Sequence, residues 1–277
     1  MNKKNLKTEK PRNSGTKRSF FVLSFFGASV LLWFLILVPA SAEEFQSERL
    51  IDSPTAGLPP KANYYLELRM QPGGGFLGAL SIGLLDRLSV GFSYGGFNII
   101  GYGKPTWNPH YPAFQAKYRL FEESFLGPAI ALGFDSQGYG EYYEPLERYT
   151  IKSKGFYGIA SKNYIFLGRL SVHAGANYSL LEKKDQDNQI SFFVGLEKSI
   201  NPELYLVGEY DLAFNDDKKD SLFGEGKGYL NLGLRWTFAK RLSLEFDFKN
   251  ILKNGFDDEP SARTSRILRI TYMSPFS

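Results

Sequence analysis

Residues Leu230 to Phe248, LNLGLRWTFAKRLSLEFDF, change sides at every residue, pause, and then do so again. Leu230, Leu232, Leu234, Trp236 and Phe238 share one face, and Asn231, Gly233, Arg235 and Thr237 share the other. Past a turn at Ala239-Lys240, Leu242, Leu244, Phe246 and Phe248 oppose Ser243, Glu245, Asp247 and Lys249. A period of two is strand geometry, because successive side chains leave opposite faces of a pleated chain. The segment is a β-hairpin with one large apolar face and one charged face, so the two faces must meet different surroundings.

The same period predicts twelve strands, over residues 62–70, 76–85, 88–94, 113–121, 126–135, 155–162, 168–179, 189–199, 204–214, 228–238, 241–250 and 264–273. In the second and sixth of these, Gly78, Gly83, Gly155 and Gly158 blur the alternation. No stretch from residue 43 onward has helical periodicity. After a short first connection, QPGGG, short and long connections alternate along the chain. In an up-and-down meander this sorts short turns to one end and long loops to the other, as in outer-membrane barrels. Greek-key crossings in a soluble sandwich give no reason for such sorting. Tyr64, Tyr94, Tyr178, Trp236, Phe238 and Tyr272 recur at strand ends, where interfacial aromatic girdles sit. The expected fold is therefore all-β: an antiparallel up-and-down transmembrane β-barrel of about twelve strands, its leucine and phenylalanine face toward lipid and its charged face toward a lumen.

Upstream, seven Lys and Arg residues precede an apolar run from Phe20 to Val38, and Ala40-Ser41-Ala42 follows. That order is the order of a secretory signal peptide, 1–42, with cleavage after Ala42. Residues 43–61 are then expected as a short periplasmic tail before a barrel over 62–277 in the outer membrane. The run is also just long enough for an uncleaved anchor. The leader holds seven of the 33 Lys and Arg residues and one of the 29 Asp and Glu residues, so the remainder carries a net charge of about −2. The basicity thus belongs to the export signal and gives no reason to expect nucleic acid as a partner. The absence of cysteine excludes disulfides, thiolate metal sites and an acylated N-terminal cysteine.

Charges on the inferred lumen face alternate in sign between strands: Glu209 and Asp211, then Arg235, then Glu245 and Asp247, then Arg269, then Glu67 with Arg69. Arg235, Glu245 and Arg269 fall at similar depth and are placed to pair laterally. Such a set either fills and braces the barrel or lines a pore for polar solutes. The opposite wall, with Ser89, Gly91, Ser93, Ala129, Ala131 and Gly133, is small enough to leave a narrow passage. Long loops carry Tyr102, Trp107, Tyr111, Tyr139, Tyr142, Tyr143 and Tyr149, whose rings suit either loop packing or contact with glycans.

Ser171, His173 and Asn177 share one strand face, a composition compatible with an acyl hydrolase. Residues two apart on a strand do not face each other, however, and this set points into the lumen, so a polar lumen strand is the simpler reading. His110 in NPHYP reads as a loop-ordering residue, and GEGKG at 224–228, with no helix after it, reads as a flexible loop. No metal-ligand spacing and no cofactor motif stands out.

The stretches GLLDRLSVGFSYGGFNIIGYG, YPAFQAKYRLF, GPAIALGFDSQGYG and FYGIASKNY resemble the YjbH-type outer-membrane proteins linked to exopolysaccharide export, over about residues 77–178. The resemblance implies a barrel with a role in polysaccharide secretion or envelope assembly, with lipid and polysaccharide or envelope-assembly proteins as partners, and brings no catalytic residues. The terminal strand departs from the outer-membrane pattern in ending MSPFS.

Overall fold

The computed structural model describes residues 38–39, 46–101, 103–109, 111–217, 223–238, 241–255 and 263–276. The leader read from sequence lies almost entirely outside these residues. Twelve strands form the wall: β1 (Asn63–Gln71), β2 (Gly75–Leu85), β3 (Leu88–Phe97), β4 (Ala113–Phe121), β5 (Ala129–Asp135), β6 (Gly155–Ile165), β7 (Arg169–Tyr178), β8 (Ser191–Ser199), β9 (Leu204–Asp211), β10 (Tyr229–Phe238), β11 (Leu242–Lys249) and β12 (Ser265–Pro275). Each pairs antiparallel with the next, and β12 pairs with β1 from Leu268 opposite Met70 to Pro275 opposite Asn63. The sheet is thus a closed up-and-down barrel with no edge, and all twelve expected strands are present.

The strand ends flanking 86–87, 122–128, 166–168, 200–203 and the short β10–β11 connection gather at one end. The strand ends that lead into the long connections β3–β4, β5–β6, β7–β8, β9–β10 and β11–β12 gather at the other, together with the tight turn 72–74. Within the loops, Tyr139–Tyr143 and Arg148–Ile151 make a small separate hairpin.

The wall is inside out relative to a water-soluble core. Leu232, Leu234, Trp236, Phe246 and Phe248 are exposed on the outside, while Asn231, Arg235, Ser243, Glu245 and Asp247 are buried on the inside. Residue parity decides this, since outward and inward positions alternate along every strand. A continuous apolar belt on a closed sheet requires a non-aqueous surrounding. Aromatic pairs edge the belt. Tyr64 packs against Tyr272 (6.4 Å) and Phe276 (5.2 Å) at the short-turn end, and Tyr94 stacks on Trp107 (6.0 Å) at the long-loop end. Phe276 therefore supplies an aromatic group beside the terminal strand that MSPFS obscures in the sequence. Among the described residues no helix is long and apolar enough to cross a membrane, so any crossing is made by strands.

The glycine-blurred second strand has a local cause. A side chain at Gly83 would meet the carbonyl oxygens of Pro60 (2.2 Å) and Pro59 (2.5 Å), where the chain passes from the lumen to β1.

Placing a charge on the outer belt is expected to be costly. Leu234→Arg should destabilise the folded barrel by roughly 2–4 kcal/mol if the site lies near the membrane midplane, measured by urea unfolding in lipid vesicles.

Candidate functional site: an occupied lumen

Residues 46–60, expected as a tail outside the barrel, instead run into it, turn, and return. Arg49 and Pro54 form an antiparallel bridge. The Leu50 N–H donates to Ser53 O (2.8 Å) and the Thr55 N–H to Glu48 O (3.0 Å), which closes the turn Leu50-Ile51-Asp52-Ser53. Both arms lie toward the short-turn end: Arg119 Nη2 donates to Gln46 Oε1 (2.6 Å), and Pro59 and Pro60 abut Gly83. The correction has a physical reason. The hairpin's own apolar and polar groups match the lumen better than they match water.

Leu50 and Ile51 are fully buried against Val207 of β9. Ala56 packs with Ala129, Ala131, Tyr157, Ile159 and Phe193. The small wall read as room for a passage is therefore where the plug seats. Gly195 on β8 belongs to the same fit, because a Cβ there would sit 2.3 Å from Leu50 Cδ1.

Charge fixes the tip. The Glu209 carboxylate accepts the N–H groups of Ile51 (3.1 Å), Asp52 (3.0 Å) and Ser53 (2.9 Å) and the side-chain amide of Asn231 (2.7 Å). Successive backbone N–H groups in a turn make an anion-binding concavity, here filled by a wall carboxylate. The carbonyls are capped by cations. Arg235 Nη2 donates to Arg49 O (3.2 Å) and Leu50 O (3.1 Å), Arg269 to Leu50 O and Ile51 O, Arg69 to Ile51 O, Lys117 to Glu48 O (2.7 Å) and Gly57 O (3.0 Å), and Arg119 Nε to Ala56 O (2.9 Å). Asp52 pairs with Arg69 (2.7 Å) and with Lys249.

All eight lumen charges read from sequence point inward, and the lateral ladder forms. Arg235 Nε donates to one oxygen of Glu245 and Arg269 Nη2 to the other, with the three residues directly opposite one another across β10, β11 and β12. Glu67 lies 3.8 Å from both Arg69 and Arg269, Asp211 pairs with Lys154, and Asp247 is fully buried on the same face. Sequence reasoning missed Gln115, Lys117, Arg119 and Glu197, all on inward-facing positions of their strands, placed Lys249 on the charged face without counting it in the cluster, and missed Arg49 and Asp52 in the plug. Parity alone marks the first four.

The loop aromatics divide. Tyr139 is buried above the plug tip: its hydroxyl accepts from Arg49, and its ring lies under Arg69 (4.4 Å) and Lys249 (4.7 Å), so it is not a surface contact. Trp107 stacks on outward-facing Tyr94, away from the mouth, and Tyr111 is exposed. Tyr142 and Tyr143 line an outer cavity. Tyr102 and His110 lie outside the described residues.

Above the plug, loop 136–154 is clamped to its neighbours. Arg148 binds Asp185 (2.6 Å) and Asp216 (2.9 Å), Lys152 binds Asp185 (2.6 Å), and Tyr229 donates to Asp216 (2.6 Å). Glu182 accepts the Tyr149 N–H (2.8 Å), the Ser153 N–H (2.7 Å) and the Ser153 hydroxyl (2.6 Å). Burial raises the Glu182 carboxyl above its ordinary value despite these bonds. Burial would raise Asp185 too, but the hydrogen bond and charge of Lys152, with the charge of Arg148, outweigh it and hold the carboxyl low. Two cavities beside the plug, of about 30 Å³ each, have room for a water or two.

His173 does not face Ser171. Ser171 Oγ donates to Asn163 Oδ1 (2.6 Å), whereas His173 Nδ1 lies 2.8 Å from Ser161 Oγ on the opposing β6, and its Nε2 lies 3.8 Å from Glu197. Ser161 Oγ accepts the Ala56 N–H (2.9 Å) and is buried. The serine beside the histidine thus holds the plug, and a 3.8 Å separation is too long for the third member of a hydrogen-bonded catalytic series. Among the described residues no acidic or histidine cluster has the arrangement of a metal site.

Two outcomes follow from this geometry. Glu209→Ala leaves three N–H groups without their acceptor and is expected to weaken docking of the tip by on the order of 3 kcal/mol, read as faster hydrogen exchange at residues 51–53. Because the Asp185 carboxyl is depressed in the folded protein, its contribution to the loop clamp is present above the ordinary aspartate value of about 3.9 and is lost as pH falls through the folded value. Hydrogen exchange across residues 148–154 should rise along that acid limb, and Asp185→Asn should flatten it.

No family model and no curated protein matches the sequence. Among solved structures the chain is similar to a KdgM porin, at 11% identity, 78% of this chain, 99% of that chain and a TM-score of 0.46. It is also similar to a NanC porin (9% identity, 77% of this chain, 100% of that chain, TM-score 0.43). A third is the Acinetobacter baumannii outer membrane protein Omp33 (9% identity, 79% of this chain, 100% of that chain, TM-score 0.41). At these scores the likenesses bear on nothing beyond the barrel already described.

Proposed function

We propose that the protein is a non-enzymatic outer-membrane barrel whose lumen is closed by its own N-terminal hairpin, and that it serves exopolysaccharide export or envelope assembly as a gated accessory. The observation that carries this reading is the seating of residues 46–58 among inward-facing groups from strands on every side of the barrel. The exposed apolar belt and the export-type leader support the location. The resemblance over residues 77–178 supports the link to exopolysaccharide.

The seating fits a plug better than an inert filling. Its contacts with the wall are mostly single hydrogen bonds to backbone groups and three ion pairs, two through Asp52 and one between Arg49 and Asp135, each replaceable by water once the hairpin leaves. The ladder Arg235, Glu245 and Arg269 stays paired without the hairpin, so the wall retains its brace when the lumen empties.

Planar-bilayer conductance tests the reading. The protein lacking its leader is expected to pass little current, and deletion of residues 46–58 to give resolved single-channel steps. Arg235→Gln, which removes the Arg235 cap on Arg49 O and one of the two on Leu50 O, should fall between the two, with more frequent brief openings. An intact protein that conducts as well as the deletion would sink the proposal.

A further inference from the structure

A third cavity, of about 600 Å³, lies at the long-loop end, between the small hairpin 139–151 and the ends of β1, β3, β11 and β12. Its size is that of ordinary small-ligand pockets. It exceeds by far the two cavities beside the plug. The lining combines two chemistries. Phe97, Tyr142 and Tyr143 supply ring faces, and Lys249 and Arg263 supply cations, with Glu141 the carboxylate among them. Ring faces pack on the apolar faces of sugars, and two cations favour a ligand that carries an acidic group.

Lys249 belongs to two structures at once. It lines this cavity, yet it is buried and its Nζ is bound to Asp52 at the plug tip. Asp52 has Arg69 as its other partner, at 2.7 Å. An anionic group entering the cavity far enough to reach Lys249 would meet an ammonium already satisfied by the plug.

We propose that this cavity binds an acidic saccharide of the uronate type, and that the sugar's carboxylate competes with Asp52 for Lys249, so that occupancy of the cavity and docking of the plug oppose each other. The proposal rests on the plugged-barrel reading above and adds its ligand. Such coupling is reciprocal: by whatever factor binding weakens docking of the plug, docking of the plug weakens binding. A ligand that takes Lys249 weakens the tip, and a tip without its charge frees Lys249 for the ligand.

Calorimetry on the full, detergent-solubilised protein, with a glucuronic acid oligomer and a neutral glucose oligomer of equal length, tests the idea. The acidic oligomer is expected to bind and the neutral one to bind at least about tenfold more weakly, the factor for one charge-assisted contact. Arg263→Gln, at an exposed position away from the plug, should weaken the acidic oligomer by a similar factor. Asp52→Asn, an isosteric change whose fold is checked by heat-modifiable gel mobility, should tighten it by at least about fivefold, the lower end of common coupling strengths. Equal binding of the two oligomers overturns the acidic assignment. Unchanged or weaker binding to the Asp52→Asn protein overturns the competition. If residues 46–58 can be deleted with no gain in conductance, the plug reading itself has failed; if that gain occurs and no acidic oligomer binds, only this inference has.

Discussion

A cation held away from water must find acceptors, and that requirement organises the inside of this barrel. Arg235 and Arg269 share the two oxygens of Glu245, which satisfies part of each guanidinium. Arg235 Nη1 donates to Glu197 of β8, and other N–H groups of the two arginines are directed at the plug turn. The backbone carbonyls of Arg49, Leu50 and Ile51 accept them there, and the N–H groups of the same turn meet Glu209. The wall thus presents donors where the turn has carbonyls and an acceptor where it has N–H groups. A peptide turn is a dipolar object of the right size for such a pattern, because it exposes both kinds of group within four residues.

The wall was legible in the sequence because lipid imposes a strict rule on every strand: out is apolar, in is polar, and the two alternate. Segments such as 230–238 and 242–248 carry that rule without exception, and even the glycine-rich 75–85 carries it well enough to be placed. The ladder was legible for the same reason, since register across the short β10–β11 turn sets Arg235 beside Glu245, and Arg269 falls at similar depth on the next strand. The plug was not. Residues 46–60 have no period of either kind, and SPTAGLPP reads as a linker by composition. Its burial is encoded in its partners instead. Lys117, Arg119 and Lys249 occupy inward positions, and the acceptors they meet there include Glu48 O, Gly57 O, Ala56 O and the Asp52 carboxylate of the hairpin.

The outer loops repeat the logic with different currency of groups. Arg148, fully buried, draws Asp185 and Asp216 from two other loops, so three segments far apart in sequence are held by one guanidinium. The fork geometry of arginine suits this role better than a lysine would. The clamped segment pairs with the strand that carries Tyr139, which lies over the plug tip against Arg49 and Arg69.

The plug is a re-entrant hairpin, with both arms toward the same end of the barrel. A segment threaded from one end to the other could be trapped only while the sheet was still open. A hairpin needs no such timing, because its entry after β1 and β12 have joined breaks no strand-to-strand hydrogen bond of the wall. Its deepest contacts join residues as distant in sequence as Leu50 and Arg269. They cannot form until the last strand is in place, so insertion of the hairpin is the natural final step of assembly.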